Sequence, residues 1–370
     1  MKAVNQAKVT AQGHSPLMEF SLQKIQFLDE DGNWVSERPE FATDEWLVQA
    51  YQHMVLNRVF DQKAIALQRT GQMGTYPSSL GQEAFGIAIG MGLQKDDVFV
   101  PYYRDHGAHL LRGHKLSDLL LYWGGDERGS AHGPKQDFPI CVPIATQITH
   151  AAGAAAALKI QNKNQLAVVT IGDGGTSKGD FFESLNVAGA WQLPLVVLVN
   201  NNQYAISVPR DIQCGAPTLA QKAIGAGIYG VQVDGNDVLA VYQAMLEARQ
   251  RADEHKGATL IEAITYRLGD HTTADDASRY RSNDEVKQAW QKEPIKRLQN
   301  ALFNLGLWDG EKEKQWQNQC AQHVDEVVAE YLTLEKDTAE SMFDHLYQDW
   351  PEVMNEQLDL LADKLTRMNH

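Results

Sequence analysis

The residues best able to do chemistry stand in one short segment, Ile171-Gly172-Asp173-Gly174-Gly175-Thr176-Ser177-Lys178-Gly179-Asp180. It follows an apolar, β-branched run and opens a helical pattern, where free backbone N–H groups and the helix dipole favour a phosphate. Its glycines let the main chain approach a ligand that a Cβ would hold off. A tight turn with no ligand and a dinucleotide-binding loop are the competing readings of such a cluster. The second requires G-x-G-x-x-G, and here Ser177 stands where the third glycine belongs. Asp173 is the informative residue, because a carboxylate in a phosphate loop repels a diphosphate unless a divalent cation lies between them. Mg²⁺ binds in that manner, through one or two protein oxygens plus substrate phosphates. Its remaining ligands would come from the end of the neighbouring strand, where Asn200-Asn201-Asn202-Gln203-Tyr204 follow the run Leu195 to Val199. Three consecutive asparagines make a poor core, and amide oxygens are hard ligands suited to Mg²⁺.

The elements that must position these groups form a clear pattern. Ala167 to Ile171 and Leu195 to Val199 read as buried strands, with a helix from Phe181 to Trp191 between them. Tyr229 to Val233 is a further strand, followed by a helix from about Asp237 to Arg251 and a strand from Ala258 to Thr265. Continuous β-branched runs separated by helices imply a parallel sheet covered on both faces, an α/β doubly wound fold. Upstream, Thr43-Asp44-Glu45 caps a helix carrying Trp46, Leu47, Ala50, Met54, Val55 and Phe60 at helical spacing until Gly71. Residues 1–42 read as an N-terminal arm, disordered or wrapped on a partner, residues 43–282 as the α/β domain, and residues 283–370 as a polar helical tail. That tail either packs on a partner or is solvated.

Composition narrows the function classes. The 370 residues carry 48 acidic against 33 basic side chains, a formal charge of −15. This argues against nucleic acid or an anionic membrane as the main partner. Three scattered cysteines, Cys141, Cys214 and Cys320, exclude a disulfide framework and point to a reducing compartment. With no apolar stretch long enough to span a bilayer, the expectation is a cytoplasmic protein.

Taken together, the two segments read GDG, 26 residues, then NN, in a strand–helix–strand context. This resembles the thiamine diphosphate motif, in which the Asp, the second Asn and a nearby backbone carbonyl coordinate Mg²⁺ on the cofactor diphosphate. The resemblance makes Asp173, Asn202 and the Tyr204 carbonyl the metal ligands. The longer stretch GDGGTSKGDFFESLNVAGAWQLPLVVLVNNNQYAISVP resembles the alpha chains of the thiamine-dependent 2-oxo acid dehydrogenases. TYPSSLGQEA (Thr75 to Ala84), VPYYRDHGAHLLRG (Val100 to Gly113) and YRLGDHTTADDASRYRS (Tyr266 to Ser282) extend it over about residues 45 to 300.

That resemblance implies roles, residue by residue. Tyr103 and Arg104 would contact the diphosphate, a task suited to a guanidinium, which makes charge-assisted and often bidentate bonds to phosphate. Gly174 and Gly175 would offer backbone N–H groups to the same phosphates, and Val142 and Ile144 would border the aminopyrimidine. His271, in the loop matching the family's mobile active-site loop, would contact cofactor phosphate or the reacting centre and assist acyl transfer. His132 is a further catalytic candidate, and His106 is read as structural. Branched-chain members bind potassium near Thr146 and Gln147, but the serine ligand of that set is replaced here by Cys141. Thr272 falls where animal relatives carry a regulatory serine.

The family's ring-activating glutamate lies on a second, beta chain, so this chain is expected to hold the diphosphate half-site of an α2β2 heterotetramer. The implied reaction decarboxylates a 2-oxo acid and passes the acyl group to the lipoyl group of a dihydrolipoyl acyltransferase. The segments YYRDHGAHLLRG and TYPSSLGQEA lean towards the pyruvate group, with branched-chain 2-oxo acids and acetoin as alternatives. A nicotinamide-dependent oxidoreductase would place an acidic residue at the next strand end, where asparagines stand instead.

Overall fold

The computed structural model describes residues 2–3, 18–131, 133–335, 338, 340–344 and 346–368. Six strands form one sheet: β1 (Lys24–Ile25), β2 (Val98–Val100), β3 (Ala167–Gly172), β4 (Leu195–Asn201), β5 (Tyr229–Asp234) and β6 (Thr259–Ile264). Their order is β1-β5-β6-β4-β3-β2, and every neighbouring pair is parallel. The helices that matter below are α1 (Asp44–Arg69), α2 (Glu83–Gly92), α3 (Thr146–Ile160), α4 (Gly179–Ala190), α5 (Val238–Asp253), α6 (Pro294–Asn304), α7 (Gly310–Thr333) and α8 (Val353–Met368).

Alternation along the strands explains why both faces are covered. Val168, Val196, Leu198, Val231, Val233 and Ile261 face one core, shared with Leu47 and Met54 of α1, Phe85 of α2 and Leu239 of α5. Ala167, Val169, Ile171, Leu195, Val197 and Val199 face the other, against Ile148 of α3 and Phe181 and Leu185 of α4. Each fully buried Val or Leu contributes about 1.5–3 kcal/mol, so neither face can be left bare. The doubly wound α/β arrangement expected from the β-branched runs is the one observed.

Capping chemistry sets the helix starts. The Thr43 side chain accepts from the Trp46 N–H at 3.2 Å to begin α1, and Gly71, at φ +74°, ends the turn that follows it. Asp237 does the same for α5, accepting from Leu239 N–H at 3.1 Å, and its other oxygen accepts from the N–H groups of Phe27 and Leu28 at 2.7 and 2.9 Å. This second pair of bonds draws the chain before residue 42 onto its own sheet, where Lys24–Ile25 becomes the edge strand. Residues 24–28 of the arm are therefore held on this chain's own sheet.

Most of the polar tail is likewise committed to its own chain. Arg297 of α6 is 2% exposed and donates to Asp234 at 2.8 Å. In α7, Val324, Val327 and Val328 pack with Phe60, Ala64 and Leu67 of α1, while Trp316 donates its indole N–H to the Gln52 carbonyl at 3.1 Å. In α8 large apolar side chains stand in the open, with Val353 70% and Leu360 63% exposed. Among the described residues no helix is long and apolar enough to cross a membrane.

Candidate active site

Parallel pairing puts the chemistry at one place. Gly172 is in register with Asn200, so β3 and β4 deliver Asp173 and the asparagines side by side at the carboxyl ends of the strands, the usual ligand position of an open α/β sheet. A cleft of about 250 Å³ opens there, lined by Tyr103, Arg104, Val142, Ile144, Asp173, Gly174, Gly175, Asn202, Tyr204 and His271. These are all the residues given a catalytic, cofactor or Mg²⁺ role from the sequence except His132, which lies outside the described residues. Chain segments up to 168 positions apart thus converge on one surface.

The phosphate loop departs from the expected strand-to-helix step. Asp173–Ser177 form a 3₁₀ turn, and α4 begins only at Gly179, so the N–H groups nearest the cleft belong to the turn. Thr176 donates to the Asp173 carbonyl at 2.7 Å, Gln213 donates to the carbonyls of Asp173 and Gly174 at 3.0 Å each, and Lys222 donates to the Thr176 carbonyl at 2.7 Å. The glycines also have a packing reason. A Cβ on Gly174 would stand 2.7 Å from the Ala205 Cβ, and one on Gly175 2.6 Å from Ile171 Cγ1. Neither gap accommodates a methyl group.

Asp173 is 1% exposed, its carboxyl pushed up to about 6 by burial, and its Oδ2 has no hydrogen-bond partner. An orphaned buried carboxylate oxygen is costly, and a bound cation reverses that cost. Opposite it, Asn202 is 5% exposed and its Oδ1 accepts weakly from Tyr204 N–H at 3.4 Å. The donor set of one carboxylate, one amide oxygen and one main-chain carbonyl fits Mg²⁺ chemistry. It is not a His/Cys/Asp/Glu cluster, and among the described residues none of three or more exists.

The other wall is cationic. Arg104 is 4% exposed, donating Nη1 to the Ser78 carbonyl at 2.8 Å and Nη2 to both the His271 carbonyl at 2.6 Å and His271 Nδ1 at 3.0 Å. Arg267, fully buried, places Nη1 2.6 Å from the same Nδ1. Two guanidinium groups only donate, so Nδ1 is an acceptor and the imidazole proton sits on Nε2. Burial, then Arg104 and Arg267, pull the His271 pKa down to about 3, which keeps the ring neutral near pH 7. Asp275 anchors the loop by accepting from His271 N–H at 2.9 Å. Tyr103 presents its ring edge to His271 at 6.2 Å and lies under the Arg104 guanidinium at 5.2 Å. Val142 and Ile144, about half exposed, form an apolar lip.

Three residues that work here were not singled out by spacing. Tyr102 lines the cleft beside Tyr103. Arg267 fixes His271, and Gln82 holds the amides of Asn200 and Asn202, at 3.1 Å each. Arg267 and Gln82 both sit inside recognisable segments, but contact with a neighbour 4 or 120 positions away has no periodic signature. His106, read as structural, is 1% exposed, with Nε2 3.1 Å from the Pro77 carbonyl, and is not in the cleft.

Comparison with known proteins agrees with this geometry. Residues 51–338 match the family model described as the dehydrogenase E1 component. The chain is 42% identical over 347 residues, 92% of its length and 93% of the relative's, to the pyruvate dehydrogenase E1 component subunit alpha of Staphylococcus aureus strain Mu50. The protein of that name from Staphylococcus epidermidis strain RP62A is 41% identical with the same coverage. With its parallel sheet, its cleft at the strand ends and a match running from α1 through α7, the chain belongs to the dehydrogenase E1 component family.

Proposed function

We propose that this chain is the alpha subunit of a thiamine diphosphate- and Mg²⁺-dependent 2-oxo acid dehydrogenase acting on pyruvate. The observation that carries the site assignment is the buried Asp173 with an unpartnered Oδ2, lining the same cleft as Asn202 at the adjoining strand end. Relatives named as pyruvate dehydrogenase alpha subunits, at 42% identity over nine-tenths of the chain, support the substrate.

Thiamine diphosphate, when bound, supplies the electron sink for decarboxylation. Asp173, Asn202 and the Tyr204 carbonyl would hold Mg²⁺ on its diphosphate. N–H groups of Gly174 and Gly175, with Tyr103 and Arg104, would bind the phosphate oxygens. Val142 and Ile144 would wall the aminopyrimidine. His271 would act as a neutral N–H donor at Nε2, offering a proton to negative charge at the reacting centre. It is not equipped to be a base, because both guanidinium groups oppose its protonation.

Asp173 is the one carboxyl among the described residues lining the cleft, and its role is metal binding. The acid that activates the pyrimidine ring must then come from elsewhere, which supports a beta-chain partner completing the site in an α2β2 assembly. Acyl transfer to a lipoyl group on a dihydrolipoyl acyltransferase follows from the same reading.

Turnover by the co-purified alpha and beta chains, with thiamine diphosphate, Mg²⁺ and an artificial electron acceptor, tests this. Pyruvate should be preferred over 3-methyl-2-oxobutanoate at matched concentrations. The reverse preference would overturn the substrate and keep the chemistry, whereas turnover of neither by the intact tetramer would refute the functional reading. Asp173→Ala should abolish Mg²⁺-dependent cofactor binding.

A further inference from the structure

Beneath the strand ends lies a chain of buried amides. Gln82 is 3% exposed, at the N-terminus of α2, and its Oε1 accepts from Asn200 Nδ2 and Asn202 Nδ2, both at 3.1 Å. Asn200 in turn donates to the Tyr102 hydroxyl oxygen at 2.8 Å, and its Oδ1 accepts from the Thr265 hydroxyl at 2.6 Å. The Gln82 Nε2 is buried with no partner.

An amide can be turned over at little intrinsic cost, so something must decide which end of Asn202 meets the cleft. The backbone N–H of Tyr204 faces Asn202 Oδ1 at 3.4 Å, and an N–H can only donate. This fixes the oxygen on the Tyr204 side and the amide nitrogen on the Gln82 side. Both contacts are buried, but the Tyr204 contact is long and weak at 3.4 Å, whereas the Gln82 contact is shorter at 3.1 Å. If Asn202 turned over, its oxygen would face Gln82 Oε1 near 3.1 Å, two acceptors with no proton between them. Gln82 is itself held from turning, because its Nε2 would then meet two donors. Its backbone is fixed as well, with neighbouring Glu83 accepting from Arg58 at 2.6 Å and from Gly81 N–H at 3.0 Å.

We infer that Gln82 is a positioning residue for the metal site, holding the Asn202 amide so that Oδ1, and never the N–H end, is presented to the cation. The inference rests on the metal reading given above. Partners that orient a ligand from behind are worth about ten-fold or more in metal affinity. Gln82→Met keeps the length and removes the acceptor, while Gln82→Glu keeps an acceptor oxygen for both amides.

The test is calorimetric titration of Mg²⁺ into the assembled alpha–beta protein with thiamine diphosphate, with melting temperature and assembly followed in parallel. Gln82→Met should raise the Mg²⁺ concentration for half-saturation about ten-fold, and Gln82→Glu should restore it to within about two-fold of wild type. If Gln82→Met does not assemble, Gln82→Ala takes its place in the same comparison. Wild-type Mg²⁺ affinity in Gln82→Met, with affinity lost in Asp173→Ala, would overturn the positioning role and leave the metal site standing. Equal impairment in the Met and Glu variants would also overturn it, since packing would then be the cause. An unchanged Mg²⁺ response in Asp173→Ala would remove the metal site and this inference with it.

Discussion

Asp61 offers a test of how the site is held from a distance. Its carboxyl, 1% exposed on α1, accepts from the Tyr76 hydroxyl at 3.0 Å, the Ser78 hydroxyl at 2.5 Å, the Ser79 N–H at 2.7 Å and the Ser79 hydroxyl at 3.2 Å. These bonds fold the segment Tyr76 to Ser79 back onto α1, and the Ser78 carbonyl in that segment is where Arg104 anchors its Nη1. In Asp61→Ala the serine hydroxyls can rotate towards other acceptors. The Ser79 N–H and the buried Tyr76 hydroxyl cannot, and each orphaned donor costs about 1–3 kcal/mol. The sum is about 4 kcal/mol. At about 2.1 cal/mol/K of unfolding entropy per residue, that lowers the melting temperature of a chain this size by about 5 °C. Asp61→Asn keeps one oxygen for the fixed donors and lets the Ser78 hydroxyl accept from the new N–H, so it should cost only about 1 kcal/mol. Scanning calorimetry of the assembled protein measures both. Thiamine diphosphate affinity, read alongside, should fall in Asp61→Ala because Arg104 loses its fixed anchor. A drop below 1 °C in Asp61→Ala, or equal drops in both variants, would refute the hydrogen-bond reasoning.

Two further outcomes concern protons. His271 should contribute no ionisation to the pH–rate profile between about pH 5 and 8, since burial and the two guanidinium groups hold its pKa near 3. Arg267→Met should move an acid limb upward by about one pH unit, the scale of one nearby charge at a half-buried site, and a wild-type limb near 6.5 that vanished in His271→Ala would contradict the brace. Asp105 is fully buried, with Oδ2 accepting from Tyr102 N–H at 3.0 Å and from Thr170, while Oδ1 has no partner. Desolvation pushes its carboxyl up to about 8 from 3.8. The folded form therefore keeps a proton that the unfolded form releases, so its contribution to stability is full below about pH 4 and is lost as pH rises to about 8. Asp105→Asn should flatten the fall in melting temperature between about pH 4 and 8, and an unchanged slope would show that Asp105 does not titrate there.

The sequence by itself determined four strands of the sheet and the meeting of Asp173 with the asparagines at their ends, because both are written locally. β-Branched runs announce buried parallel strands, and Asp173 and the asparagines follow directly on two of them. Once those strands pair in parallel, their ends must meet. Tertiary structure decided what local spacing does not encode. The edge strand at Lys24–Ile25 exists because Asp237, more than 200 positions away, has a carboxyl oxygen to spare for two N–H groups of the arm. The tail α7 lies on α1 because its valines match an apolar stripe whose other half is a distant helix. His271 could be located from its loop, but its tautomer and depressed pKa depend on two arginines brought together only by folding. Gln82 was quoted within a motif, yet its contact with Asn202 spans 120 positions of chain bridged by the core. Hydrophobic periodicity reports which face of an element is buried. It carries no record of which polar group will wait on the other side, and those pairings complete the site.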